Sequence, residues 1–184
     1  MLNIPGRDLH DFITKEREID VKSVMKGIMT GLMHMNQISI AHRDIKPENI
    51  MPGPPVKLID FGYATFFDRN LPRRERMKGL AGTEFYLAPE VRNHQSYDES
   101  VDCFSAGIAL MFVTLFSKND GEKILCEIFN PVNKEDVDTD TFQKDMSRVP
   151  KDIRPFLNRI LRVPGYERPV AADILIRDPW LTQI

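Results

Sequence analysis

The segment from Ser100 to Phe116 limits the possible folds more than any other part of the chain. From Ala106 to Phe116 it runs for 11 residues with only Thr114 as a polar interruption. A helix that is apolar all round has to be enclosed. This stretch is far short of the ~20 residues needed to cross a bilayer, so the enclosure must come from the rest of the chain. With 184 residues and 42% hydrophobic content the chain can supply it. A domain of this size buries about 70% of its unfolded surface, and the length suits one domain. A central helix wrapped by others is therefore expected.

The wrapping elements are legible from their periodicity. Val21, Val24, Met25, Ile28, Leu32 and Met35 fall at helical spacing and predict a long, largely buried helix, with its methionines as core filler. Asp8 to Lys15 reads as a short helix with Asp8 as its N-cap after Pro5-Gly6. Asp152 to Leu161 places Ile153, Phe156, Leu157, Ile160 and Leu161 on one stripe, and Val170 to Ile176 forms a last short helix. Ile38 to Ala41, Ile50 to Met51 and Val56 to Ile59 are short strand-like pieces, with a proline-rich turn at residues 52–55. Residues 63–88 show no period and read as a long loop. Lys118 to Asp140 reads as polar loops around a short helix at Glu122 to Phe129.

Net charge is −2, so no global basic field points to nucleic acid. The cluster Arg73, Arg74, Arg76 and Lys78 reads as a solvated loop face. Cys103 and Cys126 are too few for a disulfide framework or a zinc site and read as core residues of a reducing compartment. The N-terminus has no apolar signal segment. The expectation is an intracellular protein, cytoplasmic or nuclear, with neither membrane nor nucleic acid as a partner.

The chemistry sits in Ala41-His42-Arg43-Asp44-Ile45-Lys46-Pro47-Glu48-Asn49-Ile50, followed eleven residues after Asn49 by Asp60-Phe61-Gly62. Asp44 and Asn49 share one loop, and a short strand can return Asp60 beside it. Two carboxylates and an amide oxygen are hard ligands suited to Mg²⁺ that also binds phosphates. A carboxylate kept off the metal can orient a hydroxyl and take its proton, and Lys46 supplies a positive charge for a migrating phosphoryl group. A lone Asp-Phe-Gly is a common turn. Both motifs together, in this order and spacing, match the signature H-R-D-x-x-x-x-N followed by D-F-G.

On these residues the sequence resembles the eukaryotic protein kinase family. The likeness extends through Ala81-Gly82-Thr83-Glu84-Phe85-Tyr86-Leu87-Ala88-Pro89-Glu90, similar to the end of an activation segment. It continues in Asp102-Cys103-Phe104-Ser105-Ala106-Gly107 and closes with Arg168-Pro169 and Asp178-Pro179-Trp180-Leu181. Lys46 and Gly82-Thr83 resemble Ser/Thr rather than Tyr kinases. The resemblance implies a mainly α fold over residues 1–184, a kinase-like large C-terminal lobe with a small β-hairpin region around the catalytic loop. Asp44 would be the catalytic base and Lys46 would contact the γ-phosphate. Asn49 and Asp60 would hold Mg²⁺, and Thr83 would fix the catalytic loop. Asp8 would lie near the ribose of ATP, Met51 under the adenine, and Glu48 at a position that can receive a substrate arginine or merely solvate the loop. His42 and Phe61 would stack in a spine anchored by Asp102, and Glu90 and Arg168 would form a buried ion pair.

Two departures qualify the likeness. The sequence contains no G-x-G-x-x-G loop and no V-A-I-K lysine, the phosphate-holding parts of the small N-terminal lobe. The expectation is therefore a truncated kinase domain: the catalytic C-lobe of an ATP-dependent Ser/Thr kinase, inactive or very weakly active by itself. It would act on a protein hydroxyl and expose an upper apolar face that an N-lobe or another kinase would cover. The alternative is a lobe mimic that binds or inhibits without catalysis. Secondly, Arg43 corresponds to an arginine that often pairs with a phosphorylated loop residue, yet no Ser, Thr or Tyr lies between Phe66 and Gly82, and Gly79 holds the usual acceptor position. Glu75 or Glu84 is expected near Arg43 if the loop is ordered.

Overall fold

The computed structural model describes residues 7–15, 19–116 and 146–182. The apolar stretch forms α4 (Ser100–Phe116), and from Val101 to Leu115 every residue is buried. It is enclosed as its composition demands. Helix α2 (Val21–Gln37) packs along it, α1 (Leu9–Thr14) crosses its C-terminal half, and α5 (Arg154–Ile160) closes another side. Gly107 sets the α4–α5 approach, since a Cβ there would stand 2.8 Å from Leu161 Cδ2. Two short helices, α6 (Ala171–Arg177) and α7 (Pro179–Thr182), lean on α2, and α3 (Pro89–Arg92) precedes α4. The fold is mainly α with few strands, as expected.

Helix α2 buries Val24, Met25, Ile28, Met29 and Leu32 on one face, so its methionines do fill the core. It starts at Asp20, whose carboxylate accepts the Ser23 backbone N–H at 3.1 Å and the Ser23 hydroxyl at 2.6 Å. These bonds hold the Asp20 carboxyl below its usual range. A carboxyl depressed on folding stabilises at neutral pH, and that contribution is lost as pH falls through its folded titration. Asp20→Ala should cost about 1 kcal/mol, a fall in Tm of about 2–4 °C, measurable by calorimetry at pH 7 and smaller at pH 3.

The expected hairpin region resolves into two two-stranded antiparallel sheets. Strands β2 (Ile50–Met51) and β3 (Lys57–Leu58) form the local hairpin across the proline-rich turn. Strand β1 (Ile40–Ala41) pairs instead with β4 (Thr65–Phe66), Ile40 opposite Phe66. The second pairing closes a loop holding both chemical motifs, a long-range link that local periodicity does not reveal. Asp152 to Leu161 folds as expected, and its five stripe residues are buried. Cys103 is a free core thiol, pushed up by burial; Cys126 and the helix expected at Glu122 to Phe129 lie outside the described residues. Among the described residues no helix is long and apolar enough to cross a membrane.

Candidate active site

Residues 42–49 connect β1 to β2 and carry the first motif. Their conformation is pinned from below by Asp102, in the first turn of α4. Its two carboxylate oxygens accept the backbone N–H groups of His42 and Arg43, each at 2.7 Å. Burial pushes the Asp102 carboxyl up from its usual range, opposed by the charge and amide donors of His42 and Arg43. The pin is needed because Arg43 has φ +65°, a left-handed conformation that costs a non-glycine residue roughly 1 kcal/mol or more. The His42 ring bridges the two motifs. Its Nδ1 accepts the Asp44 N–H at 3.3 Å, which leaves Nε2 to donate to the Ile59 carbonyl at 3.1 Å.

Asp44 is 4% exposed and surrounded by donors. The Thr83 hydroxyl donates to Oδ1 at 2.7 Å, Asn49 Nδ2 donates to Oδ2 at 3.0 Å, and Lys46 Nζ stands 3.2 Å from Oδ2. Lys46 also donates to Thr83 Oγ1 at 2.8 Å. Thr83 thus accepts from the lysine and donates to the aspartate, tying residue 83 to the loop 37–39 positions earlier. Gly82 permits this approach: its φ is +113°, and a Cβ there would collide with the Arg43 carbonyl.

Asn49 Nδ2 additionally donates to the Asp44 carbonyl at 2.9 Å. With both amide protons committed inward, Oδ1 is turned outward. The Ile59 N–H donates to the Asn49 carbonyl at 3.0 Å, which brings the next residue, Asp60, to the rim of the same loop. Asp60 is exposed, has φ +59°, and uses Oδ1 to accept the Gly62 N–H at 3.2 Å. One outward amide oxygen and one exposed carboxylate suit Mg²⁺, which takes one or two protein oxygens and completes its shell with water and phosphate. Among the described residues no group of three or more His, Cys, Asp or Glu could hold a metal by itself.

The remaining expected site residues are more dispersed. Asp8 caps α1, its Oδ1 accepting the Asp11 N–H at 2.8 Å, and α1 packs against the one-turn helix Pro47–Asn49. Glu48 is exposed on that turn. Met51 is buried in β2, outside the contiguous core to which its neighbour Ile50 belongs. The His42 and Phe61 rings lie 5.1 Å apart at 47°, a tilted contact rather than a parallel stack. Phe61 is 54% and Phe66 76% exposed. Glu90 and Arg168 form the expected buried pair, with Nη1 to Oε1 at 2.7 Å.

Two expectations are corrected. The basic cluster is a solvated face only at Arg74 and Lys78, which are exposed; Arg73 and Arg76 are tied down. Arg73 Nε donates to Asp98 Oδ2 at 2.6 Å and reaches two carbonyls, Tyr166 and Arg168, while Arg76 Nη1 lies 2.5 Å from Glu99 Oε1. Neither Glu75 nor Glu84 pairs with Arg43: its Nε donates to the Tyr63 carbonyl at 2.8 Å and its Nη1 to the Tyr97 hydroxyl at 3.1 Å. The sequence reading missed Tyr97, Asp98 and Glu99. The only available signal was an acidic pair before a helix, which suggests a cap; indeed Asp98 Oδ1 accepts the Ser100 N–H at 2.8 Å.

Comparisons with known proteins agree with this geometry. The family model described as "Protein kinase domain" matches residues 2–181. The chain is 32% identical over 192 residues to mouse "Myosin light chain kinase family member 4", covering 99% of this chain and 47% of that protein. It is 33% identical over 164 residues to "Serine/threonine-protein kinase PEPKR2" of Arabidopsis thaliana, covering 86% and 33%. It is 34% identical over 141 residues to "Calcium-dependent protein kinase 4" of Plasmodium falciparum, covering 72% and 24%. The chain thus spans from about a quarter to about a half of the length of these relatives.

Proposed function

The chain belongs to the protein kinase family, and we propose that it is the catalytic C-lobe of a serine/threonine kinase, passing the γ-phosphoryl group of Mg-ATP to a protein hydroxyl. The observation that carries this reading is the closed set Asp44, Lys46, Asn49 and Thr83, every member hydrogen-bonded to another. A module that only binds has no need of an aspartate held by three donors beside an outward amide oxygen.

In this reading Asp44 orients the substrate hydroxyl and takes its proton as the new O–P bond forms. Lys46, fixed by Thr83 at 2.8 Å, meets charge on the transferring group. Asn49 and Asp60 are the residues that would hold Mg²⁺, which when bound neutralises phosphate charge. Asp8, Glu48 and Met51 line the nucleotide and substrate side, at the ribose, a substrate cation and the adenine respectively. The half-exposed Phe61 is the place where a second lobe would complete the spine. Kinase catalysis is mostly positioning and electrostatics of phosphates, so the glycine loop and lysine absent from this sequence would have to come from an N-lobe in a longer parent.

The test is calorimetry of Mg-ATP. Residues 1–184 should bind at least about tenfold more weakly than the same lobe joined to an intact N-lobe, a difference of about 1.4 kcal/mol. Removing Mg²⁺ or introducing Asp60→Asn should weaken binding further. Tight binding by residues 1–184 that ignores both changes would overturn the reading.

A further inference from the structure

Three consecutive residues ahead of α4 grip the segment that follows the Asp-Phe-Gly motif. Glu99 pairs with Arg76, Asp98 pairs with Arg73, and Tyr97 exchanges two backbone hydrogen bonds with Met77, each 2.9 Å. Tyr97 does more than its neighbours. It is 2% exposed, and its hydroxyl donates to the Gly79 carbonyl at 2.9 Å while accepting from Arg43 Nη1 at 3.1 Å. Arg43 in turn donates to the Tyr63 carbonyl at 2.8 Å. One hydroxyl thereby links the residue before Asp44 to the far end of the loop, and the arginine continues the link to the residue just after Gly62.

We propose that Tyr97 is a positioning residue that orders the segment 63–83 without phosphorylation, its neutral hydroxyl occupying the place on Arg43 that an acceptor's phosphate would otherwise take. This rests on the kinase reading above and concerns how that site is regulated. Three further observations support it. No hydroxyl residue lies between Phe66 and Gly82. Gly79, where an acceptor would stand, has φ +93°, so a side chain there would be strained, and it offers its carbonyl to Tyr97 instead. The cavity bounded by Arg43, Ala81 and Tyr97 has a volume of about 10 Å³, room for no more than one water. The clamp is built from fixed partners, so the segment is ordered as soon as the chain folds.

The test is limited trypsinolysis of wild type and Tyr97→Phe, which loses only the hydroxyl. Cleavage after Lys78, beside the anchor, is followed against cleavage after Lys57, an exposed site on β3. Lys78 cleavage should accelerate about tenfold in Tyr97→Phe while Lys57 cleavage is unchanged. Equal acceleration at both sites, or none, overturns the proposal. Phosphatase treatment of wild type, followed by hydrogen exchange of residues 76–82, provides a measurement independent of the variant. Unchanged protection supports the clamp, and loss of protection overturns it. In a complete kinase built on this lobe, Tyr97→Phe should lower kcat about tenfold with KM for ATP unchanged. Neither trypsinolysis nor exchange needs activity: a responsive loop in a complete kinase built on this lobe that never transfers phosphate would sink the kinase reading and leave the clamp standing.

Discussion

Asp44→Asn, introduced into this lobe joined to an N-lobe, should reduce phosphoryl transfer to a Ser/Thr peptide by about 10²–10⁴-fold, the range for loss of a general base. It should leave Mg-ATP affinity and Tm nearly unchanged. The structure says why the fold survives. The new amide keeps its oxygen toward Asn49 Nδ2 and Lys46 Nζ, which stand 3.0 and 3.2 Å from Oδ2. Its NH₂ then faces Thr83 Oγ1, now 2.7 Å from Oδ1. A hydroxyl both donates and accepts, so Thr83 can turn its proton away and receive the amide. No donor is left facing a donor; what is lost is the proton-accepting capacity and the negative charge opposite Lys46. Turnover within threefold of wild type would refute the role of Asp44. A large fall in Tm would show the carboxylate to be mainly structural.

How far these elements were legible in sequence depended on the range of the interactions that fix them. The apolar run of α4 and the stripe of α2 announced themselves, because burial of a face follows directly from local spacing. The chemical residues were legible for a different reason: two short motifs at fixed separation are improbable by chance. What stayed hidden were the contacts joining distant segments. Nothing in the spacing of Ile40 and Phe66 announces that they pair. Arg73 and Arg76 looked solvated because their partners Asp98 and Glu99 lie 25 and 23 residues away. Arg43 was expected to seek a carboxylate, since charge is what a composition-level reading sees. It found a carbonyl and a phenol, which hydrogen-bond geometry alone selects.

The same long-range logic gives the second large effect. Arg168 is fully buried, and its guanidinium grips Glu90 with Nη1 to Oε1 at 2.7 Å and Nη2 to Oε2 at 3.3 Å. Nη2 also donates to the Arg162 carbonyl at 3.0 Å, and the cation lies 4.8 Å from the centre of the Phe104 ring. Gly165 is needed here because any Cβ would collide with the Glu90 carboxylate. Glu90→Ala leaves a buried cation without its counter-charge, and breaking such a pair from one side costs about 3–5 kcal/mol. For a domain of this size that is a fall in Tm of about 6–20 °C. Removing both charges with Glu90→Leu and Arg168→Met should restore part of that loss, because two well-packed apolar groups can replace a buried pair at little net cost. Denaturant melts of Glu90→Leu and Arg168→Met singly and of the double variant would measure the coupling. Additive losses would mean that the two charges do not depend on each other. A double variant more stable than Glu90→Leu would show that the bare cation, rather than the lost contact, is what unfolds the single variant.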